Sequence, residues 1–369
     1  MSGRVLAAIA LCVAGRASPS SAAEPVPSPN APAFRAECAA LAKAAADADK
    51  MVVRGRGEWL FLVSELRHVS VGKFWGDAAA KVARARNPEH ADPLPAIVDF
   101  NQQLKKLNIE LILVPVAPKA AVYPEMVSAG LKRTKPQPRL DTQHQAFYKL
   151  LGEKGVTVLD IAPELIAHRN DNAGATYCEQ DTHWSGRACV LTAGLIAKHI
   201  KGRTWLKDMP KLKLMSETRE VETSGDLWQA LKDDAIPKEK LPLRFVGRKT
   251  AAGIEPVEPG RNSPVLLLAD SHGLVFHAGD DMHAKGAGLA DQLALELGFA
   301  VDVLAVRGSG ATSARISLYR RGRRDEGYIK GKKLIIWCFS AREFTETFTG
   351  WRKLPVVKRE GSERVPGTH

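Results

Sequence analysis

Three stretches of this chain are apolar without interruption for the length of a strand and no longer: residues 111–116, 265–269 and 334–339. A strand with one wet face alternates apolar and polar residues, so a continuous run must be covered on both sides, as in a parallel sheet with helices on both faces. The intervening segments carry the helical period such a sheet needs. Ile97, Phe100, Leu104 and Leu107 recur at helix spacing. A helix ends over residues 146–151, others run over 185–200 and 311–320, and one over 289–297 is closed by Gly298. Shorter apolar runs at 156–161 and 301–306 read as further strands. The sequence therefore predicts an α/β fold with a mainly parallel sheet. Residues 203–262, rich in Lys, Pro and Gly with little periodicity, are the main interruption, expected to cover one end of the sheet. No repeat of domain-building length is apparent. About 30 residues follow Phe339, too few for an independent core.

The amino terminus has a different composition. Arg4 precedes an apolar run over residues 5–15, and small residues lead to Ser21-Ala22-Ala23, the pattern of a secretory signal peptide cleaved before Glu24. An uncleaved anchor is the alternative. Residues 24–33 are proline-rich and read as a linker, residues 34–50 are alanine-rich and helical in propensity, and the folded domain is drawn over 34–345 with a tail over 346–369. The formal charge of +12 falls to +10 once Arg4 and Arg16 leave with the signal. Such a surplus favours an anionic surface or polymer as partner. Basic runs interleaved with aromatics are lacking, which argues against nucleic acid. Export brings Cys38, Cys178, Cys189 and Cys338 into an oxidising compartment, where two disulfides are possible. Cys178 with Cys189 is the attractive pairing because the two flank the most polar motif, and buried free thiols are the alternative.

Ligands of open α/β sheets gather at the carboxyl ends of the strands. Residues 264–269 deliver Asp270-Ser271-His272-Gly273 to such a turn. A serine there exposes its hydroxyl at the sheet edge beside its own backbone N–H, the arrangement acyl transfer needs, although Asp and Ser also serve as ordinary helix caps. The second polar block is Asp181-Thr182-His183-Trp184, before a long helix. In an extended segment residues 181 and 183 share a face, so the carboxylate can hold one imidazole nitrogen and leave the other as a base for a serine. Metal ligation or a surface pair explains an isolated Asp-x-His as well. A zinc set would draw on His183, His272, His277 and His283, yet no His-Glu-x-x-His occurs, so no metal or other cofactor is expected. Gly308-Ser309-Gly310 after a strand matches neither phosphate-loop pattern. Arg307 and Gly308 are still candidates to line a substrate pocket beside Ser271, against the plainer reading of a solvated arginine in a turn.

In order along the chain stand Gly57-Glu58-Trp59-Leu60-Phe61-Leu62, Val114-Pro115-Val116-Ala117-Pro118-Lys119 with Tyr123-Pro124-Glu125, and Asp181-Thr182-His183-Trp184. Gly225-Asp226-Leu227, Ala269-Asp270-Ser271 and Ile335-Ile336-Trp337-Cys338-Phe339 follow. Over residues 51–345 this succession resembles the bacterial alginate O-acetyltransferase family of the AlgJ and AlgX type. The resemblance implies an SGNH-hydrolase-like fold with circularly permuted motif order, the Asp-x-His preceding the serine. It implies a periplasmic enzyme that carries acetyl groups onto exopolysaccharide hydroxyls, with Ser271 as nucleophile, His183 as base and Asp181 as its orienter. It also implies a membrane-bound O-acyltransferase as acetyl donor, which allows peripheral membrane association. Two positions depart from the family: Ala269 stands where glycine is usual, and His272 where an aromatic or small residue is common. A polysaccharide acetylesterase with the same three residues and a non-catalytic polymer-binding protein of an export complex are the rival readings.

Overall fold

The computed structural model describes residues 30–131, 138–251 and 253–357, and the signal peptide expected over 1–23 and the expected linker up to residue 29 lie outside them. Ten strands occur among these residues: β1 (Val52–Arg54), β2 (Leu60–Leu62), β3 (Glu110–Val116), β4 (Thr157–Val158), β5 (Met215–Thr223), β6 (Glu239–Thr250), β7 (Gly253–Glu255), β8 (Val265–Ala269), β9 (Asp302–Ala305) and β10 (Leu334–Ser340). Five of them form one sheet in the order β4-β3-β10-β8-β9, every neighbouring pair parallel.

Alternation along the central strands distributes their side chains to two cores. Ile112, Val114, Val265, Leu267, Ala269, Ile336 and Cys338 face one core, which the helices Ala31–Asp47, Gly186–Ile200 and Leu289–Leu297 close. Leu111, Leu113, Leu266, Leu268, Ile335, Trp337 and Phe339 face the other, closed by Pro93–Lys106, Thr142–Glu153 and Thr312–Arg324. Every residue of β8 and β10 is buried. Each large apolar side chain so covered contributes about 1.5–3 kcal/mol, which explains why these strands could be read from hydrophobicity alone. The helix boundaries have local causes. Asp92 accepts from Leu94 N–H (3.0 Å) with Pro93 in the first turn, and Gly298 takes the left-handed conformation (φ 76°) that ends Leu289–Leu297.

Four features differ from the sequence reading. First, residues 203–262 hold an antiparallel sheet, β5-β6-β7. Most of β5 is exposed, so it has no apolar alternation to betray it, whereas Leu241 and Leu243 of β6 join the first core. Second, the linker ends sooner than residue 33. Helix Ala31–Asp47 already includes Pro32, which a first turn tolerates because its N–H has no helical acceptor. Third, the chain beyond residue 345 stays packed as far as 356, with Trp351 and Val356 buried in the second core. Fourth, of the two alternatives left open for the cysteines the structure has the buried free thiols: Cys38, Cys178, Cys189 and Cys338 are unbridged, and the attractive Cys178–Cys189 pairing is absent. All four pack in the first core as small apolar side chains, where burial pushes their thiols up.

Candidate active site

The parallel strands end at one rim, and the polar residues converge there. Just past β8, Asp270 accepts from His272 N–H (2.8 Å) through Oδ1 and from Ser340 N–H (2.8 Å) at the end of β10 through Oδ2. This double tie starts a short 3-10 turn, Ser271–Gly273, in place of a longer helix. Ser271 is its first residue. Like other N–H groups of a first turn, that of Ser271 has no helical acceptor, and among the described residues no other acceptor is paired with it.

Asp181 and His183 arrive from the opposite side of the sequence, 88 residues before the serine for the histidine. They sit on a bend between the bridged residues Tyr177 and Trp184, not on the extended segment expected. The bend joins them more tightly than a shared strand face would: His183 N–H (2.9 Å) and Nδ1–H (2.6 Å) both donate to Asp181 Oδ1. Because a carboxylate only accepts, the proton of the neutral ring is on Nδ1 and Nε2 is left to accept from Ser271 Oγ–H at 2.7 Å. The three residues are between 1% and 8% exposed. Burial pushes Asp181 up, but the imidazoles of His183 and His283 outweigh it and hold the carboxyl well below the usual range. For His183 burial acts downward and the Asp181 carboxylate outweighs it, so the ring lies above its ordinary value.

Several residues that hold this bend have no local sequence signal for doing so. His283 Nε2–H donates to Asp181 Oδ2 (2.9 Å) from 102 residues away, and Asp226 N–H donates to the same oxygen (2.9 Å). Asp226 in turn accepts from Thr182 N–H (2.7 Å) and Thr182 Oγ1–H (2.6 Å). Gly225 lies so near residue 180 that a Cβ would collide with the Gln180 carbonyl. Lys119, buried, donates from Nζ to the carbonyls of Leu60 (2.7 Å), Glu179 (2.8 Å) and Asp181 (3.1 Å). Its ammonium lies 5.3 Å from the Trp59 ring centroid and 5.2 Å from that of Phe61. Glu239, which burial pushes up to about 7, accepts from Glu179 and Gln180 N–H. The sequence blocks around 57–62, 114–119 and 225–227 thus meet around the loop that carries Asp181.

The remaining histidines and the candidate pocket residues make contacts of their own. His272 is buried, holds Asp270 through Nδ1 (3.1 Å) and lies 4.8 Å from the His183 ring. His277 is bound to Asp291 (2.9 Å). Asp181, His183 and Asp226 do bring one possible metal-ligand atom each within 4.8 Å of one another. Both oxygens of each carboxylate are already accepting hydrogen bonds. Arg307, about half exposed, forks onto Asp281. Gly308 turns the chain at φ 72°, and Gly310 presses on Asp270, its position for a Cβ only 3.0 Å from that of Asp270.

A family model described as an SGNH hydrolase-like domain of the acetyltransferase AlgX matches residues 52–341. The chain belongs to this family. Relatives include the probable alginate O-acetylases AlgJ of Pseudomonas syringae pv. tomato, 24% identical over 60% of this chain and 51% of the relative, and of Pseudomonas fluorescens, 26% identical over 60% and 53%. The chain spans about half the length of the curated relatives it matches. The fold is shared with the O-acetyltransferase domain of Pseudomonas putida AlgJ (TM-score 0.58, 18% identity, covering 80% of this chain and 93% of that one). Pseudomonas aeruginosa AlgX superposes with TM-score 0.56 at 19% identity, over 82% and 63% of the two chains. The SGNH-like α/β fold expected from the sequence is therefore the fold observed.

Proposed function

We propose that this protein is a periplasmic O-acetyltransferase that moves acetyl groups onto hydroxyls of an exopolysaccharide through an acetyl-serine. The observation that supports this reading is the unbroken chain from Ser271 Oγ to His183 Nε2 (2.7 Å) and from His183 Nδ1 to Asp181 Oδ1 (2.6 Å) at the carboxyl rim of a parallel sheet. Family membership and relatives named as alginate O-acetylases favour acetyl as the group and a polysaccharide as the acceptor. In the first step Ser271 Oγ bonds to the acetyl carbonyl carbon while His183 Nε2 takes the hydroxyl proton and passes it to the departing donor oxygen. In the second, a sugar hydroxyl attacks the acetyl ester, His183 takes its proton, and Ser271 Oγ leaves and recovers it. The Ser271 N–H is placed at the start of its turn to receive the oxyanion of each tetrahedral intermediate. The acetyl donor in this reading is a membrane-bound O-acyltransferase. Among the described residues no helix is long and apolar enough to cross a membrane.

Removing the nucleophile is the direct test. Ser271→Ala should lower transfer of acetyl from an activated acetyl ester to an oligosaccharide by about 10³-fold or more, with the unfolding midpoint nearly unchanged. A serine-reactive sulfonyl fluoride should label the parent and not the variant. Undiminished transfer would remove Ser271 from the chemistry, and release of free acetate with no acetylated sugar would turn the reading to hydrolysis.

A further inference from the structure

The loop that follows the serine turn collects backbone strain. Among the described residues six other than glycine have a positive φ, and three of them fall here: Phe276 (60°), Asp280 (49°) and His283 (71°). Gly279 and Gly286 add two more left-handed positions. His283 has the least ordinary backbone of the three. Its φ of 71° and ψ of −42°, with Ala284 N–H donating to the Met282 carbonyl (2.9 Å) across it, make it the centre of a γ-turn of the rare, strained kind. A bulky side chain keeps such a backbone only where other contacts compel it.

The turn delivers the imidazole to the carboxylate behind His183. The bond from His283 Nε2–H to Asp181 Oδ2 (2.9 Å) is the one hydrogen bond that the His283 side chain makes among the described residues. Asp226 N–H donates to the same oxygen (2.9 Å), and His183 supplies both donors on Oδ1 (2.9 and 2.6 Å). These donors occupy the roughly four lone-pair directions of a carboxylate, which holds it against rotation about its own bond. Only the His283 ring is a side chain from outside the Asp181–His183 bend. The contact is closed off from water, with the His283 side chain 10% exposed and that of Asp181 2%, and the Phe276 ring centroid lies 5.9 Å from that of the imidazole. Two residues before His283, Asp281 takes both arms of Arg307, which ties the loop to the chain leaving β9 at the same rim.

We infer that His283 is a positioning residue of the reaction: it clamps Oδ2 of Asp181 so that Oδ1 stays on His183 Nδ1, and the γ-turn is the backbone device that aims its ring. The inference deepens the transferase reading and rests on it for one thing, that Ser271 Oγ is the nucleophile. A carboxylate short of one donor can turn, and any turn lengthens the 2.6 Å bond to His183 Nδ1. The imidazole then loses the support that keeps its Nε2 on the serine hydroxyl, and proton transfer slows in both steps. His283 acts through Asp181, so the effect falls on kcat and leaves KM in place.

The rate at which a sulfonyl fluoride labels Ser271 reads the activated hydroxyl without an acetyl donor or an acceptor sugar. His283→Phe keeps an aromatic ring and removes the donor. It should slow labelling by about tenfold or more and lower kcat for acetyl transfer in the same proportion, with KM for the oligosaccharide unchanged. His283→Gln, which restores an N–H at similar reach, should recover most of both rates. Two further variants separate position from stability. His283→Gly should unfold at a higher temperature than His283→Ala, because glycine takes this φ at no steric cost, yet both should label as slowly as His283→Phe. Labelling of His283→Phe at the parent rate would overturn the inference. So would a Gln variant as slow as the Phe variant, a rise in KM that accounts for the loss, a glycine variant no more stable than the alanine one, or labelling rates that follow the unfolding temperatures across the four variants. If Ser271→Ala still labels, the transferase reading falls with its nucleophile. If labelling disappears in Ser271→Ala but keeps its full rate in His283→Phe, that reading stands and only the role of His283 is lost.

Discussion

Two tripeptides of this chain have the same form, Asp181-Thr182-His183 and Asp270-Ser271-His272, and fold the same way. In each the histidine N–H donates to Oδ1 of the aspartate two residues before it, at 2.9 and 2.8 Å, and the ring Nδ1 faces the same oxygen, at 2.6 and 3.1 Å. The two rings are 4.8 Å apart and both are buried. Their proton affinities nevertheless diverge. Burial lowers both, but His183 ends above its ordinary value because the charges of Asp181 and Asp226 outweigh it. His272 ends below, since Asp270 is its one acidic support and His183 and Arg342 add repulsion. Only His183 has its far nitrogen on a serine hydroxyl. An Asp-x-His is thus a local conformation, and it becomes an acid–base device through the groups that other parts of the chain bring to its free ends.

The largest contrast should come from removing each ring. His183→Gln should lower acetyl transfer by about 10³-fold, and His272→Gln by less than about tenfold, measured as kcat/KM on one oligosaccharide acceptor. Comparable losses would mean that the two imidazoles act together and would dissolve the distinction.

A second histidine pair extends the comparison to rings that face each other. His68 Nε2 and His144 Nε2 are 2.8 Å apart in the second-core side of the fold, and burial lowers both, His144 to about 4. The unfolded chain takes up protons on these rings near pH 6.5 while the folded chain resists them. Their stabilising contribution is therefore complete above pH 6.5 and is lost as pH falls toward 4, by up to about 3 kcal/mol for His144. Denaturant unfolding at pH 7 and pH 4.5 should show this loss, and it should shrink in His144→Phe. The parent and this variant having the same pH slope would place the acid sensitivity elsewhere.

The smallest effect concerns the charge behind the His183–Ser271 pair. Since the His183 ring must be neutral to accept a proton and lies above its ordinary 6.5, activity should fall as pH drops through a midpoint above 6.5. Asp226→Asn removes one raising charge and should move that midpoint down by less than about one unit. A midpoint that does not move would assign the shift to Asp181 alone.

Legibility in the sequence followed burial. The central strands β3, β8 and β10 are covered on both faces, so their hydrophobic runs mark them within a residue or so. β5, exposed along most of its length, carries no such mark and was read as irregular. Four cysteines in a chain expected to be exported left disulfides and buried thiols both open, and all four are placed as apolar core residues. Ser271, His183 and Asp181 were legible because each sits in a compact polar block beside a strong apolar element. His283, Lys119 and Glu239 were not, because each acts on the Asp181 loop from a distant part of the chain through one or a few hydrogen bonds.

The sequence by itself determined the layered α/β architecture and the candidate reacting groups, since hydrophobic periodicity and the local Asp-x-His geometry depend on near neighbours. Only the tertiary structure decided which of the two Asp-x-His tripeptides sets its ring on the Ser271 hydroxyl and what surrounds the carboxylate behind that ring. Those outcomes depend on contacts between segments as much as 102 residues apart, and spacing along the chain carries no information about them.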